Sequence, residues 1–327
     1  MKNSEINKVL IVRLGAIGDV VHTTNLYRAI KKLNPNIKIH YLTSELIKPL
    51  LINDPDVEKV YTISPKFKMF AKETKEFAQE LKKENYDLVL NLQPSLKVKY
   101  LTFLAGIKKS SVYKKSFKMH AVTNFWHTGV KFFPQLKEEE KLKLYLPDET
   151  IEFAKEKVKN YKRPIFIINA GGILSKRKGR TYPIDKWIEL GKKIQEKYNG
   201  TVILNGAKED KDLLAPLNEI PNCVDLIGEL SLVNSCGIIS QADYMLSGDS
   251  GPLHIATALS VKSIGLYGSM PANRTGCYSS GVNVVSKKDC VPCNKRKCKY
   301  LNKTKKVYAP CMEEIETDTI LCALDNI

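Results

Sequence analysis

Several features that would assign the chain to a familiar class are missing from its sequence. No apolar run is long enough to span a bilayer, which excludes a membrane-spanning helix, and there is no short-period repeat or low-complexity tract. No nucleic-acid recognition motif is present. The first seven residues are polar and lead directly into a strand, so we expect a cytoplasmic protein without a secretory leader.

The glycine fingerprint of dinucleotide-binding proteins is also missing. The first strand runs into Gly15-Ala-Ile-Gly18, which is G-x-x-G instead of G-x-G-x-x-G, and the second strand is followed only by Glu45 as an acid. A nicotinamide-dependent enzyme is therefore a weak candidate. The next residue, Asp19, is either an N-cap for a helix that begins near Val20 or a functional carboxylate.

Acidic residues are scarce relative to basic ones, and the net charge is +17. Residues 96–118 contain seven lysines and no acid, interleaved with Tyr and Phe. Nucleic acid, anionic lipid headgroups or a phosphorylated substrate would be attracted to such a surface, whereas an ordinary solvated lysine-rich surface would need none of them. Charge alone therefore leaves a basic nucleic-acid-binding protein open as an alternative.

Short β-branched runs alternate with helical patterns along the 327 residues, which is typical of βαβ units. We predict strands at 8–13, 37–43, 57–63, 86–92, 163–169, 201–206, 223–228, 243–248 and 262–268, and helices that include 184–198, 232–241 and 252–259. This pattern predicts an α/β protein with two successive doubly wound parallel sheets.

The pattern begins afresh near residue 160, which places a domain boundary there. We predict an N-terminal domain over 1–160, whose last part, about 147–162, is a linker helix, and a C-terminal domain over 161–327. Ligands of open α/β sheets bind beyond the carboxyl ends of the strands, so the cleft between two such sheets is the expected site.

A second strand–turn–helix unit in the C-terminal half resembles an anion-binding turn. The strand ending at 248 is followed by Asp249-Ser250-Gly251 and by a helix that carries His254. Backbone N–H groups at a helix N-terminus favour an anion, and a diphosphate would suit Ser250 and Gly251. A histidine packed on a helix face is the alternative interpretation of His254.

Together, the two turns resemble the signature regions of glycosyltransferase family 9, the ADP-heptose:lipopolysaccharide heptosyltransferases. The first region of that family, R-x-x-x-x-G-D-x-x-x-T, and the second, D-[ST]-G-x-x-H followed by a strand ending in an aromatic residue and glycine, both occur here in order. The matching residues are Arg13, Gly18, Asp19, Thr23, Asp249, Ser250, Gly251, His254, Tyr267, Gly268 and Arg274.

The resemblance implies a GT-B fold, with two Rossmann-like domains facing a central cleft, and an inverting transfer of heptose from ADP-heptose to an inner-core lipopolysaccharide acceptor. A family member with another nucleotide sugar or acceptor, and a non-catalytic nucleotide-binding module, remain alternatives. The resemblance places Asp19 as the general base and assigns the acceptor to the N-terminal domain, near Arg13, Gly18, His22 and Thr23.

The same resemblance assigns the nucleotide sugar to the C-terminal domain. Asp249, Ser250, Gly251 and His254 match its motif, and the adjacent basic residue that would hold the diphosphate is Arg180, with Lys178 as its rival in a crowd that also contains Lys176 and Arg177. The position of a ribose-binding acid is occupied by Glu209. We expect no catalytic cofactor, no nucleic acid, and a peripheral location on the inner face of the inner membrane.

Four of the eight cysteines form a cluster. Their spacing, Cys290-x2-Cys293-x4-Cys298-x12-Cys311, would suit a structural zinc or iron site, in which four thiolates leave no open coordination position. An unligated cysteine loop and a redox-labile disulfide are the alternatives. The segment 290–311 and a C-terminal helix complete the predicted C-terminal domain.

Overall fold

The computed structural model describes residues 6–138, 141–171, 180–295, 298–301 and 308–327. The chain divides into two compact units, Met1–Tyr145 and Leu146–Ile327, and each is built around a parallel sheet. Among the described residues, no helix combines the length and the apolar character needed to cross a membrane.

A parallel sheet covered on both faces forms the first unit. Its strands are β1 (Lys8–Val12), β2 (Lys38–Thr43), β3 (Lys59–Thr62), β4 (Leu88–Asn91) and β5 (Lys109–Val112), in the spatial order β3-β2-β1-β4-β5. Its helices are α1 (Ile17–Leu33), α2 (Lys72–Lys83), α3 (Leu96–Leu104) and α4 (Ala121–Val130). Helix α1 packs with α4, and α2 packs with α3. The strand order reverses between β1 and β4, where ligands of doubly wound sheets bind.

The second unit repeats this architecture. Its strands are β6 (Ile165–Asn169), β7 (Thr201–Asn205), β8 (Cys223–Asp225), β9 (Tyr244–Gly248), β10 (Lys262–Tyr267) and β11 (Gly281–Val285), in the order β11-β10-β9-β6-β7-β8. Its helices are α5 (Asp148–Val158), α6 (Ile184–Tyr198), α7 (Lys211–Leu214), α8 (Leu232–Ser240), α9 (Gly251–Ala258), α10 (Ala272–Thr275), α11 (Pro310–Glu313) and α12 (Thr317–Asp325). Here the order reverses between β6 and β9.

Both orders are doubly wound, so the predicted α/β class with two such sheets is confirmed. The central strands β6 and β7 are buried along their whole length because helices cover both faces of the sheet, which explains their continuous apolar runs. Helix α6 has the predicted bounds, and Asn199 ends it in the left-handed conformation with φ of 50°.

Helix α5 belongs to the second unit. It packs against α8, and its buried residues include Thr150 and Ala154. A β-carbon at Gly237 of α8 would lie 2.8 Å from the Thr150 side chain, so the two helices approach closely because this position is glycine. The division between the units therefore lies between Tyr145 and Leu146, ahead of the helix that the sequence assigned to a linker.

Candidate functional site

Asp19 lies in the first turn of α1, at the end of the first sheet where the strand order reverses. The helix begins at Ile17 after an N-cap residue, Ala16, that has no side-chain cap, so the N-capping interpretation of Asp19 is wrong. A carboxylate in this turn is still stabilised by the helix dipole. The Asp19 side chain is 27% exposed, which leaves it accessible to a ligand.

Arg13, which follows β1, fixes the position of that carboxylate. One terminal guanidinium nitrogen, Nη2, forms an ion pair with Asp19. The other terminal nitrogen, Nη1, donates a 2.7 Å hydrogen bond to the carbonyl of Leu92, which follows β4. The guanidinium also lies 5.5 Å from the centroid of the Phe125 ring. The structure therefore places Arg13 as a partner of Asp19, attached to both strands at the reversal point.

The other residues predicted to bind the acceptor are buried in the first unit. Gly18 is the second residue of α1, and the ring of His22 packs at 5.3 Å against His120. The Thr23 hydroxyl is fully enclosed, donates to the carbonyl of Val20 at 2.6 Å and lies 2.7 Å from the Tyr41 hydroxyl. The Thr23 hydroxyl therefore faces the core of this unit, and the roles of Gly18, His22 and Thr23 in acceptor binding stay predictions.

A cavity of about 280 Å³ lies beside the strand ends of the second sheet, where β6 and β9 diverge. Main-chain turns, acidic and basic side chains and two aromatic rings surround it. It is lined by Asn169, Ala170, Gly171, Arg180, Thr181, Tyr182, Trp187, Ala207, Asp210, Gly248, Asp249, Ser250 and Pro252. Its position at the reversal point is that of nucleotide sites in doubly wound sheets.

The N-terminus of α9 opens onto this cavity. Ser250 is the N-cap, and its hydroxyl accepts a hydrogen bond from the Leu253 N–H at 3.4 Å. Pro252 has no N–H, so the amides of Ser250 and Gly251 remain as donors, and within the described part of the chain neither has an acceptor. This arrangement matches the predicted anion-binding turn.

A polar network that was not predicted from the sequence holds the N-cap in place. The Ser250 hydroxyl lies 2.7 Å from that of Ser247, and the Asn169 side-chain amide donates to Ser247 at 3.1 Å and to Ser250 at 3.3 Å. Asn205 in turn donates to the Asn169 side-chain oxygen at 3.0 Å. These hydrogen bonds fix the N-terminus of α9 relative to β6 and β7.

Asp249 connects two of the predicted donor-site residues. Its carboxylate oxygens lie 3.5 Å from the Arg180 guanidinium and 3.6 Å from the Nε2 atom of His254. Burial raises the pKa of Asp249, but the hydrogen bond and charge of His254 and the charge of Arg180 outweigh it, so the pKa lies below its usual value. Asp249 is therefore a carboxylate at neutral pH, and it orients Arg180. His254 is buried on the face of α9, as the packing interpretation expected, and it also contacts Asp249.

Of the four basic residues that compete for the diphosphate, the structure describes only Arg180. Arg180 lines the cavity, and its side chain is 20% exposed. Lys178, its rival, lies outside the described residues, as do Lys176 and Arg177.

Of the two neighbouring acids Glu209 and Asp210, the one that lines the cavity is Asp210. Both lie in the 3₁₀ turn Lys208–Asp210, in which successive side chains point about 120° apart. Glu209 is exposed and does not line the cavity, whereas Asp210 is buried and does. A β-carbon at Gly171 would lie 3.0 Å from the Asp210 carboxylate, so that glycine leaves room for it.

The four clustered cysteines line one separate cavity of about 210 Å³ in the second unit, together with Lys288 and Lys295. All are free thiols, so the disulfide alternative is not present in this structure. Within the described ranges, no group of three or more His, Cys, Asp or Glu side chains is arranged to hold a metal ion. The structure thus brings Cys290, Cys293, Cys298 and Cys311 around one space without assembling a coordination geometry.

Comparison with known proteins agrees with this architecture. The family model described as glycosyltransferase family 9 (heptosyltransferase) matches residues 74–304. Lipopolysaccharide heptosyltransferase 1 of Campylobacter coli is 25% identical over 312 residues, which are 85% of this chain and 88% of that protein.

Two solved structures resemble the chain over almost its whole length. A glycosyltransferase family 9 protein from Veillonella parvula has a TM-score of 0.82 at 15% identity and covers 99% of each chain. Escherichia coli ADP-heptose lipopolysaccharide heptosyltransferase II has a TM-score of 0.78 at 18% identity and covers 98% of each chain. These similarities confirm the predicted GT-B class.

Proposed function

The chain belongs to glycosyltransferase family 9 (heptosyltransferase), and we propose that it transfers a heptose from ADP-heptose to an inner-core lipopolysaccharide acceptor, with inversion at the anomeric carbon. The observation that carries the proposal is the cavity of the second unit, which is lined by Arg180 and by Ser250, the N-cap of α9. Two of the relatives named above support the choice of donor and acceptor, because the Campylobacter coli protein is named a lipopolysaccharide heptosyltransferase and the Escherichia coli protein an ADP-heptose lipopolysaccharide heptosyltransferase.

The diphosphate of the donor would bind at the N-terminus of α9. Ser250, the N-cap of α9, lines the cavity there, so the positive end of the helix dipole lies beside it, and Arg180 adds a positive charge. Because the polar network of Asn169 and Ser247 fixes the N-cap, little reorganisation is needed when the anion binds. Tyr182 and Trp187 line the same cavity and supply apolar surface for the nucleoside.

Asp19 is the general base in this proposal. The acceptor hydroxyl attacks the anomeric carbon from the side opposite the diphosphate, its proton passes to the Asp19 carboxylate, and the bond to ADP breaks, so the configuration inverts. Arg13 keeps the carboxylate in one orientation through their ion pair. A carboxylate is a weak base for a sugar hydroxyl, so proton transfer accompanies departure of ADP.

Negative charge develops on the departing ADP. We assign its stabilisation to protein groups, namely Arg180 and the α9 amides, without a catalytic metal ion or cofactor. Arginine suits this role because its planar fork binds two phosphate oxygens at once. Asp249 holds that fork at 3.5 Å and has a lowered pKa, so it remains an anionic anchor for Arg180.

Asp210 is our candidate for the acid that binds the ribose hydroxyls. We expect Asp210→Asn to weaken ADP binding by about 10- to 100-fold, because a hydrogen bond from a sugar hydroxyl to a buried carboxylate is lost. Glu209→Gln is the matched control. Glu209 is the exposed neighbour of Asp210, so its substitution should leave the dissociation constant for ADP unchanged. Isothermal titration with ADP measures both, and weaker binding in Glu209→Gln alone would return the role to Glu209.

We propose that the cysteine cluster holds a structural zinc or iron ion. Four thiols around one cavity are the ligand type and number that either metal accepts. Elemental analysis of the purified protein should find about one metal ion per chain, and Cys293→Ser should lose the metal and melt at a lower temperature. Cys322→Ser, an exposed cysteine outside the cluster, should retain it. A metal-free wild-type protein would contradict the assignment.

The location follows from the acceptor. A lipopolysaccharide core is anchored in a bilayer, so we propose that the protein acts as a peripheral protein at the cytoplasmic face of the inner membrane. The lysines of residues 96–118 supply positive charge toward anionic headgroups and acceptor phosphates.

A ligand screen tests the proposed function most directly. Thermal-shift and calorimetric measurements against ADP-, UDP- and GDP-sugars should show stabilisation by ADP and ADP-heptose and not by the other two classes. Proton NMR of the product formed on a core oligosaccharide would establish the anomeric configuration. If no ADP ligand binds, the heptosyltransferase assignment fails, and binding of UDP- or GDP-sugars alone would indicate another donor.

A further inference from the structure

Helix α3 has apolar side chains on two opposite faces. Val98 and Leu101 are fully buried against the first sheet, while Leu96 and Phe103 on the other face are 77% and 76% exposed. Tyr100 lies between these two at helical spacing and is partly exposed. A surface helix normally carries polar residues on its outer face, so the exposed apolar stripe is not explained by the folding of this unit.

A neighbouring loop enlarges the stripe. The Phe70 side chain is 68% exposed and its ring centroid lies 5.3 Å from that of Tyr100. The Lys97 ammonium donates a 2.9 Å hydrogen bond to the carbonyl of Phe67, which attaches this loop to α3. Phe70, Leu96, Tyr100 and Phe103 therefore form one exposed surface, called the α3 patch below. Contiguous apolar surface of this kind marks an interaction site.

Lysines flank the patch. Lys97 and Lys99 lie on α3 itself, Lys108 follows it, and Lys66 and Lys68 lie on the same loop as Phe70; all five are exposed. The sequence contains no acid from residue 88 to residue 137. Lysine is depleted at the centres of protein–protein interfaces, whereas apolar and aromatic side chains ringed by lysine are typical of surfaces that bind anionic lipid.

We propose that the α3 patch inserts into the headgroup–acyl boundary of an anionic bilayer, with the surrounding lysines against the lipid phosphates. This proposal specifies which part of the protein contacts the membrane, and it rests on the peripheral location proposed above for the identity of that membrane. Insertion of Leu96 and Phe103 removes apolar area from water, and the lysines add an attraction that salt weakens. Binding to lipid needs neither donor nor acceptor, so its failure is distinguishable from a failure of transfer.

Vesicle flotation with the full chain tests the insertion. The wild-type protein should float with phosphatidylglycerol–phosphatidylethanolamine vesicles, bind less as salt is raised, and bind weakly to phosphatidylcholine vesicles. The double variant L96S/F103S should lower the partition coefficient by about tenfold or more, because two apolar anchors are removed. The matched control is Phe153→Ser, an exposed phenylalanine on α5 of the second unit, which should float like the wild type.

Fluorescence locates the inserted residue. In F103W, anionic vesicles should shift the tryptophan emission to shorter wavelength, and lipids brominated on the acyl chain should quench it, whereas F153W should show neither change beyond the background of Trp126 and Trp187. Flotation of the wild type without quenching in F103W would overturn the proposal, because another surface would then bind the lipid.

Two further outcomes decide the matter. L96S/F103S should keep the wild-type rate on a water-soluble core oligosaccharide, since neither residue lines the described cavities. If the wild type ignores anionic vesicles and instead forms an oligomer that L96S/F103S dissociates in sedimentation velocity, the patch is an interface between copies of this chain and the lipid proposal is wrong.

Discussion

Replacing Asp19 by Asn is expected to lower the rate of heptosyl transfer by about 10²- to 10⁴-fold, the contribution of a positioned general base. Asparagine keeps the size of the side chain and an oxygen toward Arg13, so the ion pair becomes a hydrogen bond from the charged guanidinium to a neutral amide oxygen, while the geometry of the turn persists. Asp19 lies in the first unit and the proposed donor cavity in the second, so the affinity for ADP should be unchanged. Steady-state kinetics and calorimetry on the same preparation measure the two quantities.

The control for Asp19→Asn separates catalysis from helix stabilisation. Asp148 is also an acid in a first helical turn, that of α5, and Asp148→Asn removes the same kind of favourable charge from a helix N-terminus. Both variants should lose a little thermal stability, and only Asp19→Asn should lose transfer. Near-wild-type transfer by Asp19→Asn, with a melting shift like that of Asp148→Asn, would reduce Asp19 to a helix-terminal charge.

The fold was predictable from sequence where strands are buried on both faces. Strands such as β6 and β7 are continuous apolar runs, and helix α6 between them has a clear 3.6-residue pattern. The two strands that were not predicted, β5 and β11, lie at sheet edges. Strand β5 reads Lys-Ser-Ser-Val and is only partly buried, because one side of an edge strand has no neighbour, so its apolar signal is weak.

Site residues were predictable where a backbone turn determines them. Ser250 and Gly251 follow from a strand that ends in a glycine-rich turn before a helix, and the structure places both at the N-terminus of α9. The direction in which a side chain points was harder to predict from the sequence. Whether Glu209 or Asp210 faces the cavity depends on the phase of a single 3₁₀ turn, and whether Thr23 faces solvent or Tyr41 depends on the packing of α1. The three-residue turn is too short to leave a periodic signal, and the hydrogen bonds of one threonine hydroxyl do not follow from the periodicity of α1.

We expect Arg180→Ala to lower kcat/KM for the nucleotide sugar by about 10²- to 10³-fold, the usual loss when one fixed partner of a developing negative charge is removed. Arg180→Lys should recover part of this loss, because an ammonium keeps the charge but cannot bind two phosphate oxygens in one plane. Arg163→Ala is the matched control in the same unit. Arg163 forms an exposed pair with Asp243 and does not line the cavity, so its removal should leave kcat/KM unchanged.

The pH dependence of stability distinguishes a lost phosphate partner from a damaged fold. The folded-state pKa of Asp249 is lowered in part by Arg180, so this carboxylate stabilises the fold above its unfolded pKa, and the stabilisation disappears as pH falls through the lower folded value. Without Arg180 the folded pKa rises toward the unfolded one, and the pH-dependent stabilisation shrinks. Arg180→Ala should therefore gain less stability than the wild type as pH rises from strongly acidic to neutral, a difference that unfolding curves across this range measure. If kcat/KM falls with no change in this pH profile, Arg180 acts on the donor without its proposed anchor, and the role of Asp249 in orienting it is wrong.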